Sequence, residues 1–526
     1  MYKCGKISLY VIYLHGGNHM SSKLGKIIGI IMIIAFAVIM LYMLFHNLGE
    51  GYLIQTDEAY HATNAYEMYK QGNWIVNTYR YASDYFNSKP PLCLDLMVLS
   101  YKALGVSGFA ARFPSAVGAV ITFILIAAFL IYRKDLYSAA LFAALFCACS
   151  DLFLFHMYRA AEMDSIFNLF FTTAMLSLML MREKPYFMYV YGLALGLAFM
   201  CKGPHAAIIL MIGLLYIPMT KNAFSSVRRV IISAVLAVVI PAAWMIKRYM
   251  FDGTELLRAL FVGEVTQKVA SENQLENMAI TSFITSPIAI IFGVMAVITI
   301  IVTLIGRKAG KVDPGMLKEL FKDNYLYLLW AIVPIIFFSF PKTFLPWYIY
   351  SSQIAMCVLT AGLLSWCIRI PGGESVLCTI AVYACTIALS LCFMIPTITK
   401  HINVAGMGGN PVDGFTDAML EFQKQYGDEY SGVNTYLVPA ITAESSEENS
   451  DSSGENDEGH WTPEYVAPAE MYCDLLPVDG TVDNFINDPD AILILDKSRW
   501  DEYSYVLAGH VILQDMSYLI FSSDYY

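Results

Sequence analysis

The chain has 526 residues, 57 % of them hydrophobic and only 15 % charged, with a mean hydropathy of +0.54; soluble domains carry charge on about a quarter of residues, so this composition describes a membrane protein. The net charge of −11 is uneven, because residues 401–526 hold 24 acidic and three basic side chains whereas residues 1–400 hold 20 and 30. Phosphate-backbone recognition needs a clustered basic surface, and the only large tail outside the apolar runs is acidic, which excludes a nucleic-acid partner.

Crossing a hydrocarbon layer of ~30 Å takes ~20 apolar residues, and the chain offers eleven such runs, near 27–46, 109–132, 138–155, 164–181, 186–201, 203–219, 230–250, 282–305, 323–340, 346–367 and 375–397. Residues 1–26 then read as a cytoplasmic N-terminus, with Met20 as good a start as Met1. The first run is too long for a signal-peptide core and lacks a small-residue cleavage site, so it is expected to be retained. Eleven cysteines make no disulfide framework; Cys147, Cys149, Cys378, Cys385 and Cys392 lie inside apolar runs, where a thiol behaves as a small hydrophobe.

Orientation follows from the cations. With the N-terminus cytoplasmic, five short inner loops, 133–137, 182–185, 220–229, 306–322 and 368–374, carry 13 Lys and Arg in 43 residues. The much longer outer loops carry nine. An odd number of spans places the acidic tail outside. Within that tail, residues 443–459 are a Ser/Glu/Asp/Gly stretch expected to be disordered. Strand-like runs at 433–438 and 491–495 and a helical pattern at 415–426 predict a small extracytoplasmic α/β domain over 400–526.

The first outer loop, residues 48–108, is long enough to suggest work. Thr56-Asp57-Glu58 opens a helical stretch to about Gln71, closed by Gly72, and the stripe Ala59, Ala62, Tyr66 and Tyr69 predicts a helix lying along the membrane surface. Spacing alone makes Asp57 equally a helix N-cap and a catalytic acid. Asp57 and His61, four apart, share a helix face in a spacing compatible with two metal ligands, which more often is structural. Further ionisable groups recur at outer helix ends: Arg159, Asp164, Lys202 in Lys202-Gly203-Pro204, and Lys342. Singly, each reads as a cap or a snorkelling side chain. Together they put carboxylates and cations on one membrane face, an arrangement that would suit a substrate with a lipid tail and a phosphate head.

Residues 57–118 resemble the first outer loop of the ArnT-like and protein O-mannosyltransferase superfamily, integral-membrane glycosyltransferases of GT-C type. The resemblance rests on Asp57-Glu58-Ala59-Tyr60, on Tyr85-Phe86-Asn87-Ser88-Lys89-Pro90-Pro91-Leu92, and on Gly108-Phe109-Ala110-Ala111-Arg112-Phe113-Pro114-Ser115. Shorter matches are Met163-Asp164, Met200-Cys201-Lys202-Gly203, Gly263 to Lys268, and Lys342 with Leu345-Pro346-Trp347-Tyr348.

The resemblance implies an all-α polytopic catalytic body over 27–399 and inverting transfer of a sugar from a polyprenyl-phosphate carrier. The acceptor would be a glycan, lipid or protein outside the cytoplasmic membrane. It implies Asp57 as the base, with Glu58 and Asp164 as further acids, and Lys89, Lys202, Lys268, Lys342 and Arg159 near the donor phosphate. In the aminoarabinose-transferase branch an acidic residue before the loop lysine and a histidine in a later loop accompany a divalent metal. Here these positions are Ser88 and Val265, so a metal is expected to be missing or displaced. A flippase or transporter of lipid-linked sugar is the alternative, but transport of a charged solute places ionisable groups at the midplane, and these spans are nearly free of them.

Overall fold

The computed structural model describes residues 19–53, 56–154, 156–263, 279–341, 344–370, 376–404, 411–440 and 461–525. Lys268, Val265, Lys342 and the acidic stretch 443–459 lie outside the described residues. The chain forms two compact units, one of residues 1–46, 116–159 and 163–403, the other of residues 47–115, 160–162 and 404–526.

Unit one is helical. Its main elements are α1 (His19–Phe45), most of α4 (Gly108–Tyr132), α5 (Leu136–Ala148), α6 (Asp164–Met181), α7 (Phe187–Lys202), α8 (Ala207–Tyr216), α9 (Val227–Asp252), α10 (Pro287–Lys308), α11 (Pro314–Phe338), α12 (Tyr350–Arg369) and α13 (Val376–Thr397). Among the described residues nine helical segments are long and apolar enough to cross a membrane, residues 187–219 counting as one. That segment is folded back on itself. Gly203, at φ 55°, turns the chain after Lys202, and the Tyr191 hydroxyl donates to the Ile209 carbonyl at 3.0 Å, which sets α8 against α7. Gly213 lets the two close: a Cβ there would lie 2.1 Å from the Tyr191 hydroxyl.

α5 differs from the expected span at 138–155. It has 13 residues, rising only ~20 Å, and is buried all round against α1, α12 and α13, as a helix without a polar face must be. With α5 counted and the hairpin split, the eleven expected runs are all present as helices. The chain is an integral multi-pass membrane protein, and the apolar side chains left exposed, such as Val227, Ile231, Val235 and Val238 on α9, are those a lipid phase would cover.

The ends of these helices sort chemically. Ion pairs Arg133–Glu183, Arg182–Asp323 and Arg369–Asp135 knit one end, the end that the basic loops predicted to be cytoplasmic. Asp164, Lys202 and Pro346–Ile349 occupy the opposite ends of the same helices.

Unit two joins the long outer loop to the tail, a grouping that the sequence reading, which assigned the loop to the membrane body, did not anticipate. It contains α2 (Thr56–Gln71), the short strands β1 (Thr78–Tyr79) and β2 (Ala82–Ser83), α3 (Leu92–Leu104), the start of α4, α14 (Pro411–Tyr426) and α15 (Pro463–Cys473). Its sheet runs β4-β3-β5-β7-β6, built from β3 (Asn434–Val438), β4 (Leu476–Pro477), β5 (Ile492–Asp496), β6 (His510–Asp515) and β7 (Tyr518–Tyr525). β3 is parallel to β4 and β5, whereas β7 is antiparallel to β5 and β6. Alternation sorts the strands into two cores: Leu437, Ile492 and Ile494 pack with Phe415, Phe422 and Trp461, while Tyr436, Val438, Leu493 and Leu495 pack with Phe485 and Leu507.

The reason the loop joins the tail is a polar seam between α2 and α15. Tyr66 and Lys70 donate to Asp474 at 2.8 and 2.9 Å, Thr56 donates to Glu464, and Arg80 grips Asp479 with both contacts at 2.8 Å.

Candidate active site

α2 begins with three residues of different fate. Thr56 and Asp57 are exposed, and Glu58 is buried at 3 % exposure. Glu58 is engaged by Arg112 of α4 in a two-pronged pair, Nε to Oε1 at 2.8 Å and Nη2 to Oε2 at 2.9 Å, and it accepts the Ala161 amide at 2.7 Å. The same guanidinium donates to the carbonyls of Leu48, Glu50, Gly51 and Tyr52 at 2.8–3.2 Å. Glu58, expected among the catalytic acids, is thus consumed in fixing the chain that enters α2. Asp57 stays open, with one carboxylate oxygen within 4.8 Å of one of Glu162. Glu162 lies 3.2 Å from His61 Nδ1, so His61 meets a carboxylate.

The loop carrying Lys89 is held by an amide network rooted on α2. Asp84 Oδ1 accepts from the Phe86 and Asn87 amides at 2.9 and 3.1 Å and from the Tyr60 hydroxyl at 3.0 Å. Asn64 donates to Asp84 at 3.1 Å, Asn87 donates to Asn64 at 2.8 Å, and Asn77 donates to the Asn87 carbonyl at 2.7 Å. Lys89 follows this frame half-buried. The preceding Ser88 is buried and offers a neutral hydroxyl, a weaker ligand for a hard divalent cation than a carboxylate. That position lacks the negative charge that would hold a divalent metal tightly.

In unit one a second cluster forms where α6 starts and α7 ends. Lys202 Nζ donates to both oxygens of Asp164 at 2.7 and 2.8 Å, and both side chains are buried. Aromatic rings wall this pair: Tyr348 lies under Lys202 at 5.6 Å, His205 packs edgewise on Tyr348, and Trp347 stacks on His156 at 3.7 Å. The cleft they line extends to Asn168 and Ser351.

Arg159, expected near the phosphate, has Nη1 on the carbonyls of Met43, Leu44 and His46 at 2.7–3.0 Å. It caps the C-terminal end of α1, where free carbonyls and the helix dipole favour a cation. Two arginines are among the groups that escaped the sequence reading. Arg112 had its signal in the Ala-Ala-Arg-Phe-Pro run but its partner 54 residues away. Arg248 is fully buried and ion-paired to Asp252 one turn on; an arginine inside an apolar run was its signal.

One acid pair lies away from these clusters. Glu67 on α2 and Glu470 on α15 are both fully buried. Burial first, then the adjacent Glu67 carboxylate, raises Glu470 well above the usual range; burial likewise raises Glu67, although bonds such as the Tyr81 amide at 2.9 Å oppose it. Two neighbouring buried carboxyls cannot both ionise cheaply and hold a proton between them. Folded-state values above the unfolded ~4.3 mean that the folded protein binds more protons, so stability falls as pH rises past the ordinary glutamate range. The free energy of unfolding in detergent should therefore drop between pH 5 and pH 8, by about 1–3 kcal/mol. Glu470→Gln should flatten that slope, and an equal slope in the variant would refute the shared proton.

Comparison with known proteins adds an independent line. Residues 88–246 match the profile of the dolichyl-phosphate-mannose-protein mannosyltransferase family. The chain is 28 % identical over 339 residues to the undecaprenyl phosphate-alpha-4-amino-4-deoxy-L-arabinose arabinosyl transferase of Edwardsiella ictaluri, covering 62 % of this chain and 58 % of that protein. With the Yersinia pestis enzyme of the same name it shares 26 % over 347 residues, 64 % of this chain and 59 % of the relative. The match thus spans just under three fifths of either relative's length. The fold is of GT-C type. Specifically, it resembles ArnT from Cupriavidus metallidurans in its crystal structure with undecaprenyl phosphate, with a TM-score of 0.67 at 15 % identity, over 94 % of this chain and 98 % of that one.

Proposed function

We propose that the protein transfers a sugar from a polyprenyl-phosphate donor to an acceptor hydroxyl on a cell-envelope glycan, lipid or protein, with inversion, at the extracytoplasmic membrane face. The observation that carries this reading is the division of labour at the head of α2: one acid is locked by Arg112 while its neighbour Asp57 stands exposed. The acceptor oxygen attacks the anomeric carbon and gives its proton to Asp57. The bond from that carbon to the phosphate oxygen breaks, and the departing polyprenyl phosphate keeps the electron pair. Fixed cations stabilise the charge that grows on it. Lys89 and Lys202 are assigned that role, with Lys268 and Lys342 as further candidates, and Asp164 holds the Lys202 ammonium in place. No step runs through a metal. The basic inner loops and the acidic tail support an outward-facing site.

The test is transfer in proteoliposomes supplied with an undecaprenyl-phosphate sugar and envelope lipid extract, with glycans read by mass spectrometry. Losing one charged phosphate contact costs about 1.5–3 kcal/mol, so Lys202→Ala should raise the donor KM about ten- to a hundredfold. The acceptor KM should move less than about twofold. A donor KM that stays put would remove Lys202 from the phosphate site.

A further inference from the structure

Unit two has an open cavity of about 320 Å³ on the side of α2 formed by its last two turns. This lies at the lower end of the ~300–1,000 Å³ usual for ligand pockets. It is lined by the aromatic residues Tyr66, Tyr69 and Tyr472 and by the charged residues Lys70, Asp428 and Asp474. Tyr69 and Tyr472 are half-buried. Tyr69 is braced edgewise on Tyr101 with centroids 6.4 Å apart.

The floor is built around Asp474, which closes α15 in the left-handed region at φ 54° and ψ 32°. Glycine is the ordinary residue at such a helix end. The aspartate there accepts from Tyr66, Lys70 and Ser431. Those bonds depress its pKa, against the opposing effect of burial, and keep it ionised. A fixed carboxylate, an ammonium and tyrosine side chains lining one cavity are the groups that bind a saccharide: rings meet its C–H faces, and the polar groups exchange hydrogen bonds with its hydroxyls. Two carboxylates against one lysine give the lining a charge of −1, which opposes a phosphate and admits a neutral or amine-bearing sugar.

We propose that this cavity is a subsite for a neutral or amine-bearing saccharide unit of the acceptor. The assignment to the acceptor rests on the transferase reading; the assignment of saccharide chemistry does not. The cavity engages the acceptor away from Asp57, which sits at the opposite end of α2, and so selects which glycan reaches the base.

The test has two arms, both on the full-length protein in detergent. In the first, saturation-transfer NMR is recorded with chitobiose, the chitosan dimer and glucose 6-phosphate. Signal is expected for the first two and not the third, reduced at least fivefold in Tyr69→Ala and in the rim variant Asp428→Arg. Asp428 is exposed, so the second variant keeps the test valid if the first fails to fold. No signal with either disaccharide, or a stronger one with glucose 6-phosphate, would overturn the subsite. The second arm measures transfer to envelope lipid extract, where Asp428→Arg should raise the acceptor KM about tenfold with kcat within about twofold. A change in kcat with no change in KM would overturn the acceptor role. Disaccharide binding by a wild-type protein that transfers no sugar would sink the transferase reading while leaving the saccharide site standing.

Discussion

Asp57→Asn should lower the rate of sugar transfer by about 10²–10⁴-fold, the usual contribution of a positioned general base. Asparagine has the size of aspartate and ranks with it as a helix cap, so a purely structural Asp57 would tolerate this exchange with little loss. The substitution separates the two roles that sequence spacing left even. In the first turn of α2 a negative charge is worth about 0.3–1 kcal/mol against the helix dipole, so the unfolding midpoint should hardly move. Asp57→Glu keeps the acid but advances it by one methylene, and should fall between wild type and Asp57→Asn, because misplacing a reacting group by ~1 Å can cost 10²-fold. Initial rates with a saturating polyprenyl-phosphate sugar provide the check. An Asp57→Asn rate within about threefold of wild type would remove Asp57 from the chemistry.

Much of the architecture could be read in the sequence because a lipid phase imposes long uninterrupted apolar runs, and because Lys202-Gly203-Pro204 marks a turn no helix would keep. In the tail, the runs at 433–438 and 491–495 became β3 and β5, since alternating or continuous apolar residues between turn residues have few other uses. The same criterion passed over α15, which carries Pro468 and the buried Glu470 and so lacks a clean helical pattern. Nor could it show that the outer loop and tail form one unit, because the bonds from Tyr66 and Lys70 to Asp474 join residues about 400 positions apart. At the site, residue types were legible but their employment was not. Asp57 and Glu58 are adjacent acids, and only their three-dimensional partners distinguish the exposed one from the one neutralised by Arg112. Arg159 sits among outer charges in the sequence, yet nearby carbonyls at the end of α1 take up its guanidinium. Long-range partners decide such roles, and a local pattern does not encode them.

Arg112→Ala should destabilise the protein by about 3–5 kcal/mol, the cost of leaving one member of a buried ion pair without its partner. The guanidinium has more to lose than most: it satisfies both oxygens of Glu58 and four carbonyls between Leu48 and Tyr52. Lysine should rescue little, because a single ammonium cannot span a carboxylate and a run of carbonyls in fixed directions. Glu58→Leu with Arg112→Met removes both charges at similar volume and should recover part of the stability. The uncapped carbonyls of 48–52 should prevent full recovery. Function should follow a different order. Asp57 is the residue before Glu58, so any variant that frees Glu58 lets the base wander, and transfer should fall about 10²-fold even in the double variant at temperatures where it remains folded. Stability recovered without activity would show that the Arg112–Glu58 pair serves mainly to aim Asp57. Recovery of both would mean that the pair is only a structural staple and that Asp57 is positioned by other contacts.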